Sequence, residues 1–217
     1  MLRAFWIVFW TQLLGASFAA GQQKLVNLAS EGVKVGAVPD GCRSAKTGSM
    51  GGEVRWQVRK TSETVLGGTI AEVSQEKTDT KYPLCILDAL RATDIDVSVD
   101  ITPIAGDLDR AGGIAVRLID PLNYYLVRAN ALEQNVRLYH VVNGIRTQFA
   151  GVEAHVFSGM TQRLRLVVKG DEFSVMFAGK KLFNVKDKRF QKEGAVALWT
   201  KADSLTEFSN VTVEILQ

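Results

Sequence analysis

Residues 112–147 read GGIAVRLIDPLNYYLVRANALEQNVRLYHVVNGIRT, and this stretch decides the fold class. Apolar and polar side chains alternate in three runs, which predict β-strands over residues 112–119, 124–130 and 135–142. Asn143 and Gly144 both tolerate positive φ and predict a tight hairpin turn, after which a fourth strand begins at Ile145. Each strand therefore buries one face and leaves the other free to carry function.

The same alternation continues along the rest of the chain. It predicts further strands, which are clearest over residues 53–60, 95–101, 163–169 and 172–177, and no segment shows a helical apolar stripe. Residues 39–52 are rich in Gly and Ser and are interpreted as a loop. The pattern predicts an all-β fold, a two-sheet antiparallel jelly-roll sandwich, formed by one domain over residues 20–217.

The first residues have the layout of a secretory signal peptide. Arg3 precedes an apolar run from Ala4 to Gly15, and small residues follow. Ser17 and Ala19 fit the small-x-small rule, which predicts a signal peptide over residues 1–19 and a secreted or periplasmic protein. A membrane anchor is the alternative, but the run is shorter than the ~20 residues that span a bilayer. No later apolar segment is long enough for a span, so none is expected after cleavage.

Charge argues against one class of partner. The 217 residues carry a formal net charge of +3. Removal of residues 1–19 takes away Arg3 and no acidic residue, so the charge falls to +2. A chain this close to neutral is not expected to bind nucleic acid.

The chain has two cysteines, Cys42 and Cys85. In an oxidising compartment the simplest expectation is one disulfide between them. Two buried free thiols remain the alternative.

The hairpin over residues 124–142 provides the candidate site. A loop at residues 131–134 would pair Asn130 with Asn135 and Arg128 with Arg137, and Leu126 would face Tyr139. Adjacent like charges are unfavourable unless something offsets them, either acidic neighbours such as Asp120 and Glu133 or a bound ligand.

We therefore predict a ligand-binding surface of guanidinium, amide and aromatic groups, which suit sugar hydroxyls, carboxylates and the apolar faces of sugar rings. Its predicted members are Arg117, Arg128, Asn130, Asn135, Arg137, Tyr139 and Trp199. The alternative is a solvated sheet face whose arginines pair with acidic side chains.

Carboxylates offer weaker hypotheses. Asp94, Asp96 and Asp100 alternate along one strand, as do the carboxylates of jelly-roll glucanases, which makes Asp96 and Asp100, with Glu133, weak candidates for catalysis. A solvent-facing strand is the plainer interpretation. Asp107 and Asp109 in the stretch GDLDRAG could ligate calcium, although a simple turn explains them too. No other cofactor is expected.

Residues 112–148, together with FSVMFAGKKLFNVKD (173–187) and GAVALWTKADSLTEFSNVTV (194–213), resemble a family of exported bacterial jelly-roll proteins. This is the domain family named for 3-keto-disaccharide hydrolases, within the concanavalin A-like lectin/glucanase group. The resemblance spans roughly residues 50–217 and implies a concave sheet face that binds glycan. The positions that match are Arg117, Asn123, Tyr124, Arg128, Asn130, Glu133, Asn135, Arg137, Tyr139 and Trp199.

Three functions follow as hypotheses. The first is an exported carbohydrate-binding module without chemistry of its own. The second is a glycoside hydrolase acting on keto-disaccharides or β-glucans, with Glu133 or an aspartate as base. The third is a non-catalytic interaction domain of the cell envelope.

Overall fold

The computed structural model describes residues 23–30, 32–61, 65 and 67–216. The predicted signal peptide, residues 1–19, lies outside the described residues. Within the described ranges, no helix is long and apolar enough to cross a membrane.

Fifteen strands form the described part of the chain. They are β1 (Lys24–Leu25), β2 (Arg43–Thr47), β3 (Trp56–Lys60), β4 (Thr69–Glu72), β5 (Tyr82–Ala92), β6 (Ile95–Ala105), β7 (Ala111–Asp120), β8 (Asn123–Asn130), β9 (Asn135–Val142), β10 (Ile145–Glu153), β11 (Gln162–Lys169), β12 (Glu172–Phe177), β13 (Lys180–Lys186), β14 (Gly194–Trp199) and β15 (Leu205–Ile215).

The strands form two antiparallel sheets. Sheet A has the order β13-β12-β11-β6-β15-β4-β3, and β1 also pairs with β15. Sheet B has the order β10-β9-β8-β7-β14-β5-β2. The predicted all-β, two-sheet architecture is confirmed.

The main core lies between the sheets and follows the period-two pattern of the strands. Sheet B contributes alternate residues such as Val127 and Leu138, and sheet A contributes Val97, Leu166 and Phe173, all fully buried. Each such side chain stabilises the fold by about 1.5–3 kcal/mol relative to an exposed one. The sandwich therefore depends on this interlayer packing.

The hairpin register agrees with the predicted register. Asn130 pairs with Asn135, Arg128 with Arg137, and Leu126 with Tyr139. After the Asn143-Gly144 turn, β10 pairs back on β9. The polar residues of the hairpin thus share the face of sheet B that points away from sheet A.

Sheet B is strongly curled, so this outer face is concave. Three strands separate β2 from β8, which would place them about 19 Å apart on a flat sheet. Thr47 of β2 and Tyr124 of β8 nevertheless share a hydrogen bond of 2.6 Å between their hydroxyl oxygens. Neither side chain can cover that distance on a flat sheet. Arg146 of β10 likewise reaches the ring of Tyr82 in β5, although four strands lie between them.

The curl creates a second apolar cluster inside the concave face. Its members are Leu84, Ile86, Ala111, Ala115, Leu118, Tyr124, Leu126, Tyr139, Val141, Ala195, Ala197 and Trp199. Burial raises the pKa of Tyr124 to about 12, which keeps its hydroxyl protonated and able to bond to Thr47. Much of the concave face is therefore packed rather than solvated.

One strand lies where the sequence was interpreted as a loop. Residues 43–47, inside the predicted loop 39–52, form β2 and pair with β5 at the edge of sheet B. The predicted disulfide between Cys42 and Cys85 is present and ties the start of β2 to β5. Long-range pairing and a covalent bond hold this strand, and neither depends on local alternation.

Arg117, which was predicted to share one surface with Arg128 and Arg137, lies elsewhere. Arg117 has φ 47° within an irregular part of β7, where the register to β8 shifts between Val116 and Asp120. This bulge ends the alternation, so Leu118 joins the concave-face cluster instead of the main core. Gly194 accommodates the bulge, because a Cβ there would lie 2.3 Å from the carbonyl carbon of Arg117.

Arg117 instead joins the two sheets at one end of the sandwich. Its Nε donates to the Thr93 carbonyl (2.8 Å), Nη1 to the Phe190 carbonyl (2.8 Å) and Nη2 to the Gly170 carbonyl (2.6 Å). Nη2 also contacts the Asp94 carboxylate at 3.3 Å. The side chain is fully buried, so its role in this structure is to satisfy backbone carbonyls rather than to face a ligand.

We predict that Arg117→Lys lowers the free energy of unfolding by about 2–4 kcal/mol, because one ammonium group cannot reach all four acceptors and leaves buried carbonyls unpaired. Urea unfolding monitored by circular dichroism measures this change. Arg43→Lys is the control, since Arg43 forms an exposed pair with Asp88 and should change stability by less than about 1 kcal/mol. Equal stability of the wild-type protein and Arg117→Lys would contradict the assigned role.

Candidate functional site

The candidate site lies across the concave face of sheet B. Register aligns Trp199 of β14, Gly113 of β7, Arg128 of β8 and Arg137 of β9 in one row. Gly113 is required in this row, because a Cβ there would lie 2.5 Å from the Val127 carbonyl oxygen and 3.0 Å from the Arg128 Cβ. The sequence thus places large polar and aromatic groups on either side of a position without a side chain.

Arg128 is the centre of a buried polar cluster, which we call the Arg128 network (Arg128, Asn130, Glu133, Asn135 and Tyr139). Arg128 donates from Nη1 to Asn135 Oδ1 at 2.7 Å and from Nη2 to Glu133 Oε2 at 2.7 Å and to the Tyr139 hydroxyl at 3.0 Å. Asn135 Nδ2 also donates to Glu133 Oε2, at 3.2 Å. The network fixes these side chains before any ligand arrives.

The β8–β9 turn positions Glu133 within this network. Asn130 Oδ1 accepts the backbone N–H groups of Leu132 and Glu133, which forms a tight turn, and Gln134 completes it with φ 52°. Burial alone would raise the pKa of Glu133, but the hydrogen bond and charge of Arg128 outweigh burial and lower it. Glu133 is therefore an ionised carboxylate, and its side chain is 44% exposed.

A chain of charges extends from the network to the end of sheet B. Asn130 Nδ2 donates to Asp109 Oδ1 at 2.9 Å, and Lys201 Nζ lies 3.0 Å from Asp109 Oδ2 and 2.6 Å from Asp79 Oδ1. Burial raises the pKa of Asp109, and Lys201 offsets this only in part. The two neighbouring carboxylates, Asp109 and Glu133, thus have pKa values shifted in opposite directions.

Asp203 holds the loop that carries Asp109. Its carboxylate accepts the backbone N–H groups of Asp107 (2.8 Å), Leu108 (3.1 Å) and Asp109 (3.1 Å). Burial by itself would raise the pKa of Asp203, but these donors outweigh burial and lower it. The position of Asp109 therefore depends on the ionised form of Asp203.

Aromatic side chains form the other half of the site, which we call the aromatic cluster (Tyr82, Tyr139 and Trp199). Tyr82 and Trp199 stack with ring centroids 5.8 Å apart. The Arg146 guanidinium carbon lies 4.7 Å from the Tyr139 ring centroid, 4.9 Å from that of Tyr82 and 5.6 Å from that of Trp199. Arg146 thus lies over all three rings, within the range of cation–π attraction.

The structure brings six of the seven predicted ligand-binding residues to one face. Arg128, Asn130, Asn135, Arg137, Tyr139 and Trp199 lie on the concave face, and Arg117 does not. Acidic neighbours offset the facing arginines, because Glu133 pairs with Arg128 and Glu153 with Arg137. Trp199 is 0% exposed, so its ring backs the site instead of facing solvent.

Two of the catalytic candidates lie on the wrong sheet. Asp96 pairs with Arg165, and Asp100 pairs with Arg163 at 2.9 Å on the outer face of sheet A. The whole sandwich separates them from Glu133, so they cannot act with it. Among the three candidates, Glu133 alone belongs to the site.

The two calcium candidates have separate partners. Asp107 pairs with Lys77 at 2.8 Å, whereas Asp109 pairs with Lys201 and Asn130. Among the described residues, no group of three or more His, Cys, Asp or Glu side chains converges on a metal-sized position. Calcium binding by Asp107 and Asp109 together with backbone carbonyls stays a prediction.

Sequence reasoning missed Arg146, Tyr82 and Lys201. Arg146 could have been found, because the Asn143-Gly144 turn places it opposite Val141 and hence on the face of Tyr139. No local pattern indicated Tyr82 or Lys201. Tyr82 reaches the site only because sheet B is curled, and Lys201 reaches it because the end of β14 lies beside the start of β7.

The lowered pKa of Asp203 predicts a pH-dependent loss of stability. A carboxylate with a lowered folded-state pKa stabilises the fold above its unfolded pKa of ~3.9, and this stabilisation is lost as the pH falls through the folded value. We expect Asp203→Asn to cost about 1–3 kcal/mol at pH 7, with a smaller difference from the wild-type protein below about pH 4. Urea midpoints across this pH range measure it. Asp107→Asn, in the same loop but exposed, should show no such trend, and a constant difference for Asp203→Asn would exclude the proposed cause.

Comparison with known proteins shows the fold. No protein-family model and no curated protein matches the chain. Among solved structures, carbohydrate-binding module CBM66 from Bacillus subtilis is similar with a TM-score of 0.61 and 22% identity, over 79% of this chain and 94% of that chain.

Two further structures agree with this result. A Bacillus subtilis protein of unknown function with a galectin-like fold gives a TM-score of 0.59 at 11% identity, over 90% of this chain and 96% of that chain. A β-glucanase from Bacillus licheniformis gives 0.56 at 10% identity, over 91% of this chain and 99% of that chain. These similarities confirm the predicted jelly-roll sandwich, whereas the resemblance to the 3-keto-disaccharide hydrolase domain stays a prediction.

Proposed function

We propose that this protein binds a carbohydrate on the concave face of sheet B. The observation that carries the proposal is Arg146. Its guanidinium lies over the three rings of the aromatic cluster, and its Nη1 is buried without a hydrogen-bond acceptor. A buried donor without an acceptor costs about 1–3 kcal/mol, and an oxygen of a bound ligand would remove this cost.

The surrounding groups suit a sugar. Tyr82 is partly exposed and offers apolar ring surface to a sugar, while Glu133 and Arg137 offer an acceptor and donors at the rim. The Arg128 network holds Glu133 in place through the bond from Arg128 Nη2. It also contains a second buried donor without an acceptor, Arg128 Nε. The buried ring of Trp199 packs against both Tyr82 and Arg146 and so holds them in position.

The fold neighbours support the proposal without deciding it. One is named a carbohydrate-binding module and another a β-glucanase, and both share the sandwich at low identity. The signal-peptide pattern of residues 1–19 supports export of the protein to the secreted or periplasmic space. The sequence resemblance to the 3-keto-disaccharide hydrolase domain supports a saccharide ligand as well.

The test of this proposal is a glycan array followed by calorimetry. We expect wild-type protein to bind at least one glycan class, and Arg146→Gln to weaken that binding about tenfold or more, which corresponds to about 1.4 kcal/mol. Arg59→Gln is the matched control, because Arg59 lies in β3 of sheet A, on the other layer of the sandwich, and pairs with Glu207.

Circular dichroism and thermal midpoints verify that each variant is folded. A blank array with folded wild-type protein would refute carbohydrate binding. Full affinity in Arg146→Gln would move the site away from the aromatic cluster.

Glycoside hydrolysis is the second candidate, and one observation favours it. The Nδ2 atom of Asn130 donates to Asp109 Oδ1 at 2.9 Å and to Glu133 Oε1 at 3.0 Å. Because the two N–H bonds of an amide diverge by about 120°, the two carboxylate oxygens lie roughly 5 Å apart. This separation matches the carboxylate pairs of retaining glycosidases, and the opposite pKa shifts suit an acid and a nucleophile.

Hydrolysis is the less favoured candidate because Asp109 is buried. Asp109 is 1% exposed, and its two oxygens already accept from Asn130 and Lys201. A leaving-group oxygen would therefore find no free carboxyl group to protonate it. Glu133 is the exposed member of the pair, and binding needs it only as an acceptor.

Incubation with β-glucan oligosaccharides and oxidised disaccharides separates the two candidates. The binding proposal predicts no release of monosaccharide or shorter oligosaccharide. Hydrolysis predicts release that Glu133→Gln reduces by about 10²-fold or more, while Asp107→Asn leaves it unchanged. Release that depends on Glu133 would overturn our ranking.

A further inference from the structure

Three cations of the concave face have carboxylate partners, and Arg146 has none among the described residues. Arg128 pairs with Glu133 at 2.7 Å, Arg137 with Glu153 at 3.2 Å, and Lys201 with both Asp79 and Asp109. Arg146, within the part of the chain that the structure describes, has no carboxylate within ion-pair distance. A charge on this face is therefore left without a counter-ion.

The surroundings of Arg146 make this charge costly. Its neighbours are the rings of the aromatic cluster, which take the place of water around the guanidinium. Cation–π contacts stabilise such a charge by only about 0.5–2 kcal/mol each, whereas loss of hydration is more expensive. A bound carboxylate offers what the rings do not, namely a planar acceptor that meets a guanidinium with two parallel hydrogen bonds.

The other end of the face has the opposite charge. The charge chain contains three carboxylates, Asp79, Asp109 and Glu133, against two cations, Lys201 and Arg128. A ligand carboxylate would be repelled there and attracted at Arg146, so the face has a preferred direction for an acidic ligand. Neutral hydroxyls would satisfy the free Nη1 donor but would not use this difference in charge.

We propose that the saccharide bound on the concave face is acidic and that Arg146 binds its carboxylate. The ligand class is an oligosaccharide of uronic acids, with the sugar ring packed beside Tyr82 and its carboxylate on the guanidinium. This inference rests on the proposed carbohydrate binding and specifies the ligand class of the same site.

The experiment compares each acidic oligosaccharide with its own carboxyl-reduced form, which differs only in having CH₂OH in place of the carboxylate. Oligogalacturonate, oligoglucuronate and oligomannuronate serve as probes, and isothermal titration calorimetry of residues 20–217 measures affinity. For at least one probe we expect the acidic form to bind about tenfold or more tightly than the reduced form. This preference should shrink as salt is raised, because salt screens an ion pair that borders solvent.

Variants connect the preference to Arg146. Arg146→Gln should bind the acidic and reduced forms equally, because glutamine keeps hydrogen bonding and removes the charge. Arg146→Lys should keep part of the preference, since it retains the charge without the bidentate geometry. Arg59→Gln, on sheet A, should keep all of it.

The outcomes separate the two proposals. If no acidic form binds more tightly than its reduced form while the array shows binding to neutral glycans, the acidic ligand is excluded and carbohydrate binding stands. If Arg146→Gln retains the preference, Arg146 is not the carboxylate site. If no glycan binds at all, carbohydrate binding itself fails and this inference fails with it.

Discussion

The curl of sheet B is the constraint on which the rest of the structure depends. The hydrogen bond between Thr47 and Tyr124 spans three intervening strands, and it forms only because the sheet bends. Bending encloses a second apolar cluster on the face that an ordinary antiparallel sandwich leaves to solvent. It also brings Arg146 from one side of the sheet over Tyr82 and Trp199 from the other. The candidate site and the second core are therefore products of the same bend.

The alternation of apolar and polar residues was sufficient to predict register where the paired strands are neighbours along the chain. The register of the hairpin over residues 124–142 follows from alternation and turn chemistry, and the structure confirms it pair by pair. Arg117 shows where such reasoning ends, because the bulge at this residue depends on Gly194 of another strand, about eighty residues away. Strand β2 shows the same limit, since its pairing with β5 and the Cys42–Cys85 bond are both long-range. The sequence could predict which faces of the hairpin are polar, but not which distant residues would meet them.

The ligand roles of the predicted residues change once burial is known. Arg128 was predicted as a group that grips a ligand, and the structure shows its Nη atoms already occupied by Glu133, Asn135 and Tyr139. Preorganisation of this kind costs nothing when a ligand binds, because the side-chain entropy was lost on folding. Unused donors of this face include Arg128 Nε within the network and Arg146 Nη1 over the aromatic cluster. Buried polar atoms that lack partners therefore indicate candidate binding groups more directly than residue types that suit a sugar.

The distribution of charge on the concave face follows from where backbone elements end. Asp79, Asp109 and Lys201 all lie in connections between strands, next to β5, β7 and β14, so the ends of three strands place them together. Arg146 lies instead in the second position of β10, directly after the turn that closes the hairpin. One end of the face thus carries paired charges fixed by connections, and the hairpin supplies Arg146, the cation that lies over all three rings of the aromatic cluster. Because the paired charges sum to a negative value and Arg146 is positive, the difference in charge along the face follows from the chain topology.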